Sequence, residues 1–181
     1  MQLKYIKYIS LIFISIYTFC AHSNEKITPL GDNEGYALVA IYSQGYAEKI
    51  KLDGEGFGNN HDFGPLNDTQ YLKVYPLKAG EYNWSQVVDR IGENTRVTYD
   101  FDDLDLKFTI QPGKVNYIGL LMFKTTGSKF SAEILNRTSM ILTIFKQQHS
   151  ELFNQYQVVN GIYPNDPYIS FFLNGNKGKT Q

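Results

Sequence analysis

The stretch Tyr36–Ser43, YALVAIYS, decides the fold. It is nearly all apolar, short, and bounded by Gly35 and Gly45, which suits a strand buried on both faces. Outward from it, from Gly35 to Leu135, apolar residues recur with a period of two, and Gly, Asn, Asp and Pro break the runs. Many Tyr, Phe, Gly and Asn with few Ala also favour strands and turns over a helical bundle.

Tyr46–Leu52 follows after the turn signal Gln44-Gly45, so these first two runs read as a hairpin. Further strands are expected at Gln70–Tyr75, Glu81–Asp89, Thr95–Phe101, Leu104–Ile110, Val115–Lys124 and Lys129–Leu135. A two-residue turn at Asp102-Asp103 would pair Phe101 with Leu104, Tyr99 with Leu106 and Val97 with Phe108, and stack six apolar groups on one side. Asp53–Thr69, DGEGFGNNHDFGPLNDT, holds four glycines, three asparagines and a proline. It reads as a long surface loop, and loops of that length tend to be functional or disordered.

After Leu135 the period changes. Ile141, Leu142, Phe145, Leu152, Phe153 and Tyr156 have helical spacing, with His149 in the same stripe and Asn136, Thr138 or Ser139 as N-cap. Ile169–Leu173 reads as a last strand or an extended tail, and 174–181 as disordered. The expected fold is all-β: a sandwich of about eight mostly antiparallel strands, immunoglobulin- or prealbumin-like, over residues 35–173. One C-terminal amphipathic helix near 139–156 would cover an open edge or end.

The amino terminus supplies an address. Lys4 and Lys7 precede an apolar run, Tyr8–Phe19, and Ala21-His22-Ser23 offers small residues to a signal peptidase. The run is shorter than the roughly 20 residues a spanning helix needs. Residues 1–23 therefore read as a cleaved signal peptide, with 24–34 as a linker and no transmembrane span in the mature form. A periplasmic or secreted location follows. The alternative is an outer-membrane lipoprotein anchored on Cys20, against which stands the bulky Phe19 beside it. Cys20 is the only cysteine, so the mature chain would have no disulfide and no thiol chemistry. Net charge is −1, without a basic face for nucleic acid.

Candidate chemistry is sparse. Tyr82 and Trp84 lie two apart on one strand and share a face, with Tyr36 and Tyr75 as neighbours. Exposed, they could stack on a sugar or fill a partner's pocket; alternatively Trp84 plugs the core. His61 and Asp62 in the glycine-rich loop complete the candidate binding set. Asp100, Asp102, Asp103 and Asp105 are a weak calcium candidate against the alternative of a solvated hairpin tip. No metal site is otherwise expected, because no histidine pair has ligand spacing. No G-x-S-x-G elbow, S-x-x-K motif or phosphate loop is present, so neither catalytic residues nor a cofactor are expected.

A strand, a small-residue turn and another strand occur twice, at Val74–Tyr82 (VYPLKAGEY) and Phe108–Gly119 (FTIQPGKVNYIG). Gly80 and Gly113 would supply positive φ there, and Pro112 presets the residue before Gly113. AGEY followed by PGKVNYIG resembles a family of exported bacterial proteins of unknown function with small β-sandwich folds. It is more distantly similar to surface-layer and carboxypeptidase-associated sandwich modules. The resemblance spans Gly35–Leu135 and implies a fold and a cell-envelope setting, with no catalytic residues to carry over. The expected function is a non-catalytic envelope-associated binding or accessory domain, engaging an envelope protein or glycan. The alternatives are a hydrolase using Glu55, Asp62 and Asp68, and a structural subunit of a surface assembly that leaves an edge strand open.

Overall fold

The computed structural model describes residues 27–56, 58–67, 70–91, 95–101, 103–126, 129–163 and 165–175. The expected signal peptide with Cys20, and the tail from 176 onward, lie outside these residues.

The protein is an all-β sandwich with helices on one side. Its strands are β1 (Glu34–Gln44), β2 (Tyr46–Ala47), β3 (Lys49–Gly54), β4 (His61–Phe63), β5 (Leu66–Asn67), β6 (Gln70–Lys78), β7 (Gly80–Ile91), β8 (Thr95–Asp100), β9 (Lys107–Ile110), β10 (Val115–Thr126), β11 (Lys129–Leu135) and β12 (Val158–Asn160). Eight of these have four or more residues. The helices are α1 (Thr138–Gln148), α2 (Ser150–Gln155) and α3 (Tyr168–Gly175).

The first sheet runs β6-β1-β10, and β11 and β12 divide the far edge of β10 between them. The second runs β4-β3-β7, and β8 and β9 divide the far edge of β7 in the same way. Pairing is mostly antiparallel; β1–β10 and β10–β12 are parallel. Strand β1 sits in the middle of its sheet and is covered on both sides, as its composition requires. Ala37, Val39 and Ile41 enter the core between the sheets. Tyr36, Leu38 and Ala40 point the other way, against Ile141, Leu142, Phe145, Leu152 and Ile169 of the helices. The helices thus cover a whole sheet face, not the open edge or end the sequence suggested.

Aromatic contacts close both flanks of the sandwich. On one, Phe63 of β4 meets Tyr75 of β6 edge to face, with centroids 5.0 Å apart. On the other, Phe130 of β11 stacks on Tyr99 and Phe101, at 4.9 and 5.2 Å. Burying each such ring is worth about 1.5–3 kcal/mol.

Several local expectations change. The first two runs form no hairpin: β1 and β3 lie in different sheets, and Gly45 (φ 105°) turns the chain between them. A side chain at Gly45 would meet the Thr125 hydroxyl. The expected Asp102-Asp103 hairpin is also absent. β8 and β9 follow one another along the same edge of β7, because twelve-residue β7 offers pairing along its whole length. Tyr99, Phe101, Leu106 and Phe108 still face inward, so the alternation is right and the pairing wrong. The stretch 53–69 is only partly a loop. His61–Phe63 pairs with β3, Leu66–Asn67 pairs with β2, and Phe63 and Leu66 are buried.

The two glycine turns have the expected positive φ, 148° at Gly80 and 67° at Gly113. Each carries the chain from one sheet to the other. Both are tied to the entry of β1: Ala79 N–H donates to the carbonyl of Asn33, just before the strand, and Gly113 N–H to that of Glu34, its first residue, each at 2.8 Å. Residues 27–34 are accordingly more than a linker. Ile27 and Leu30 pack on the outer core, and the Thr28 carbonyl accepts from the Tyr36 hydroxyl.

The expected single helix is broken at His149, whose φ of −133° is not helical. The break sets Phe153 5.9 Å from Phe145, beneath the Lys146 ammonium. Residues 168–175, expected as strand or disordered tail, are helix α3. Asp166 accepts from Tyr168 N–H as a capping side chain would, with Pro167 immediately before the first helical residue.

Candidate functional site

Three of the four candidate binding residues converge, but on the inside of the sandwich. In β7, Tyr82 and Trp84 share a face because they are two apart; that face is the inner one, and both are almost fully buried. Trp84 lies 5.5 Å from Phe63 and 6.1 Å from Phe108, and Tyr82 stacks on Phe108 at 5.8 Å. The exposed aromatic platform is therefore corrected: Trp84 plugs the core, as an alternating strand in a two-sheet protein would have it. Tyr75 is indeed a neighbour, through Phe63, whereas Tyr36 belongs to the helix-side core.

His61 sits at the margin of this aromatic cluster, on edge strand β4. Its ring is half-buried, 6.5 Å from Tyr82, and burial pushes its imidazole below the usual range. Burial likewise raises the Tyr82 phenol, whose hydroxyl donates to the Lys78 carbonyl at 2.9 Å. The Tyr71 and Tyr75 hydroxyls bond to each other along β6. Within β7, Trp84 Nε1, Ser85 Oγ and Asn83 Oδ1 are buried without a hydrogen-bond partner among the described residues. Ser85 is the extra residue of a bulge, since Lys51 pairs with Gln86 and Leu52 with Trp84.

Asp62 alternates to the opposite, solvent face. There it is exposed and bonded to Lys49 at 2.9 Å. The same face carries Gln86 on Asp100 at 2.6 Å, and Glu48 held by Arg96 at 2.7 and 2.9 Å with Arg90 at 3.4 Å. The Arg96 hydrogen bonds, aided by the charges of both arginines, lower the Glu48 carboxyl below the usual carboxylate range. Sequence reading missed this trio because Glu48 and Arg96 are 48 residues apart.

The acidic run does not form a tip where carboxylates face each other. Asp100, Asp103 and Asp105 are exposed and Asp102 lies outside the described residues. Among the described residues no three His, Asp or Glu side chains group as a metal site. Glu55 is exposed and Asp62 is occupied by Lys49, so these two carboxylates do not meet as a hydrolytic pair; Asp68 is outside the described residues.

No family model, curated protein or solved structure matches the chain.

Proposed function

We propose that the chain is an exported, non-catalytic sandwich domain that acts at the cell envelope as a binding or accessory module, engaging an envelope protein or glycan. The observation that carries it is the outer face of the second sheet. The helices occupy the corresponding face of the first sheet, whereas this one is polar and has no helix over it among the described residues, and its charges are tied as Lys49–Asp62 and Glu48–Arg96. Charges fixed on a rigid sheet favour partner choice and register over acid–base chemistry. Export is supported by the Lys4–Ser23 pattern, and the envelope setting by the resemblance of the two glycine turns.

The test is fractionation of producing cells with mass determination of the mature chain. A start at Asn24 in the periplasm or medium is the expected result. Retention of residues 1–23 in the cytoplasm would sink the proposal, and a lipid-sized excess on Cys20 would replace the soluble location with an anchored one. Charge reversal at Lys51 and Lys107, both on the open face, should then weaken capture of the envelope partner while leaving the thermal midpoint in place.

A further inference from the structure

The chain contains the dipeptide Asn-Gly twice, at Asn160-Gly161 and Asn174-Gly175. An asparagine side-chain amide is open to attack by the backbone nitrogen of the next residue, and glycine leaves that nitrogen uncrowded because it has no Cβ. The fold treats the two sites differently. Asn160 ends β12 and is buried, and its Oδ1 accepts from Ile162 N–H at 3.1 Å and from Tyr163 N–H at 3.0 Å. Gly161 N–H donates to the Tyr117 carbonyl, and the Gly161 carbonyl accepts from Thr109 N–H, each at 2.8 Å. Amide and nitrogen are thus held by separate partners, in bonds that join the two sheets.

Asn174 is exposed, and its side-chain amide makes no hydrogen bond among the described residues. It sits in the last turn of α3. The closing carbonyls of a helix have no partner further along it, and helix ends open at little cost. The backbone there can leave helical angles and bring the Gly175 nitrogen to the amide carbon. Asn60, Asn136 and Asn154 are exposed as well, but His61, Arg137 and Gln155 follow them, and a Cβ crowds each attacking nitrogen.

We propose that Asn174-Gly175 is a site of spontaneous deamidation, and that Asn160-Gly161 is the same sequence kept inert by the fold. The Gly175 nitrogen bonds to the Asn174 side-chain carbon, and the bond from that carbon to the amide NH2 breaks. The proton given up by the Gly175 nitrogen leaves with the NH2 as ammonia. Water then opens the cyclic imide at either carbonyl, giving aspartate or isoaspartate. Either product places a carboxylate at the C-terminal end of α3, where the helix dipole is already negative. Neither step depends on where in the cell the chain resides.

The experiment stores the purified chain in mildly alkaline buffer and follows both sites by peptide mapping and mass spectrometry. Conversion at Asn174 should run many-fold ahead of conversion at Asn160. In urea, where the fold is lost, the two should convert at similar rates. Gly175→Ala should slow the Asn174 reaction many-fold, with the thermal midpoint checking that the fold is intact. An Asn174 that survives in the folded chain but converts in urea overturns the proposal, as does folded-state conversion at Asn160 that keeps pace with Asn174. Equal rates in Gly175→Ala and the parent chain overturn it too.

Discussion

Asn116 is fully buried, between Val115 and Tyr117. Its NH2 lies within 3.2 Å of the Tyr36, Gln111 and Lys114 carbonyls, and its Oδ1 accepts from Gln111 N–H at 2.8 Å. One amide thus fastens the second glycine turn to β1. Asn116→Leu should cost about 2–3 kcal/mol, because it takes this partner from the Tyr36 and Gln111 carbonyls and the Gln111 N–H. Urea unfolding checks this, and a loss below about 0.5 kcal/mol would refute it. His61 bears on pH. Burial keeps its folded pKa below the unfolded value of about 6.5, so the unfolded chain takes the proton first. Its contribution to stability is complete above that value and is lost as pH falls toward the folded pKa. The urea midpoint should therefore drop between pH 7.5 and 5.5, and by less in His61→Gln; parallel curves for the two proteins would rule this out.

Strand β6 is one edge of the first sheet, and its guard is Pro76. Tyr36 N–H bonds to Lys114, away from β6, so the Tyr36–Pro76 pair exchanges no hydrogen bonds and the Pro76 nitrogen faces outward. Leu72 and Val74, on the same phase, do offer outward amides. Pro76 shortens that row, which discourages strand addition. Pro76→Thr should raise self-association at high concentration, seen as faster sedimentation; an unchanged monomer would contradict it. Elements were legible in proportion to how local their causes are. The alternation in Thr95–Ile110 told which side chains point inward, since period two needs no partner, and the unbroken apolar run Tyr36–Ser43 marked a strand buried on both faces. Which strand meets which was not legible, because β7 recruits both β8 and β9 and nothing in Asp100–Leu106 says so. Helix α3 was misread as strand or tail, although Asp166-Pro167 and the helical spacing of Ile169, Phe172 and Leu173 were there to be read. The break at His149 has no glycine or proline to signal it. Of the candidate site, the shared face of Tyr82 and Trp84 was readable, but its direction was not, since both faces of a strand look alike until a second sheet covers one.

At the scale of the whole molecule, β1 belongs to both hydrophobic cores. The helix-side core and the inter-sheet core therefore cannot separate without exposing one face of the same strand. Unfolding should be a single transition: Trp84 fluorescence from the inner core and the 222 nm helical signal should give coincident curves. Two midpoints would show the layers to be independent. Phe145→Ala in α1, fully buried on the helix side, should shift both curves together by about 3–5 kcal/mol. The position of β1 also governs how the chain comes to be folded. Tyr36 must find Val115, so β1 has no lateral neighbour on that side until the chain has been made as far as β10. Such distant closure makes folding slow, on the order of milliseconds to seconds, and leaves an oily ribbon waiting in the open for a chaperone to shield.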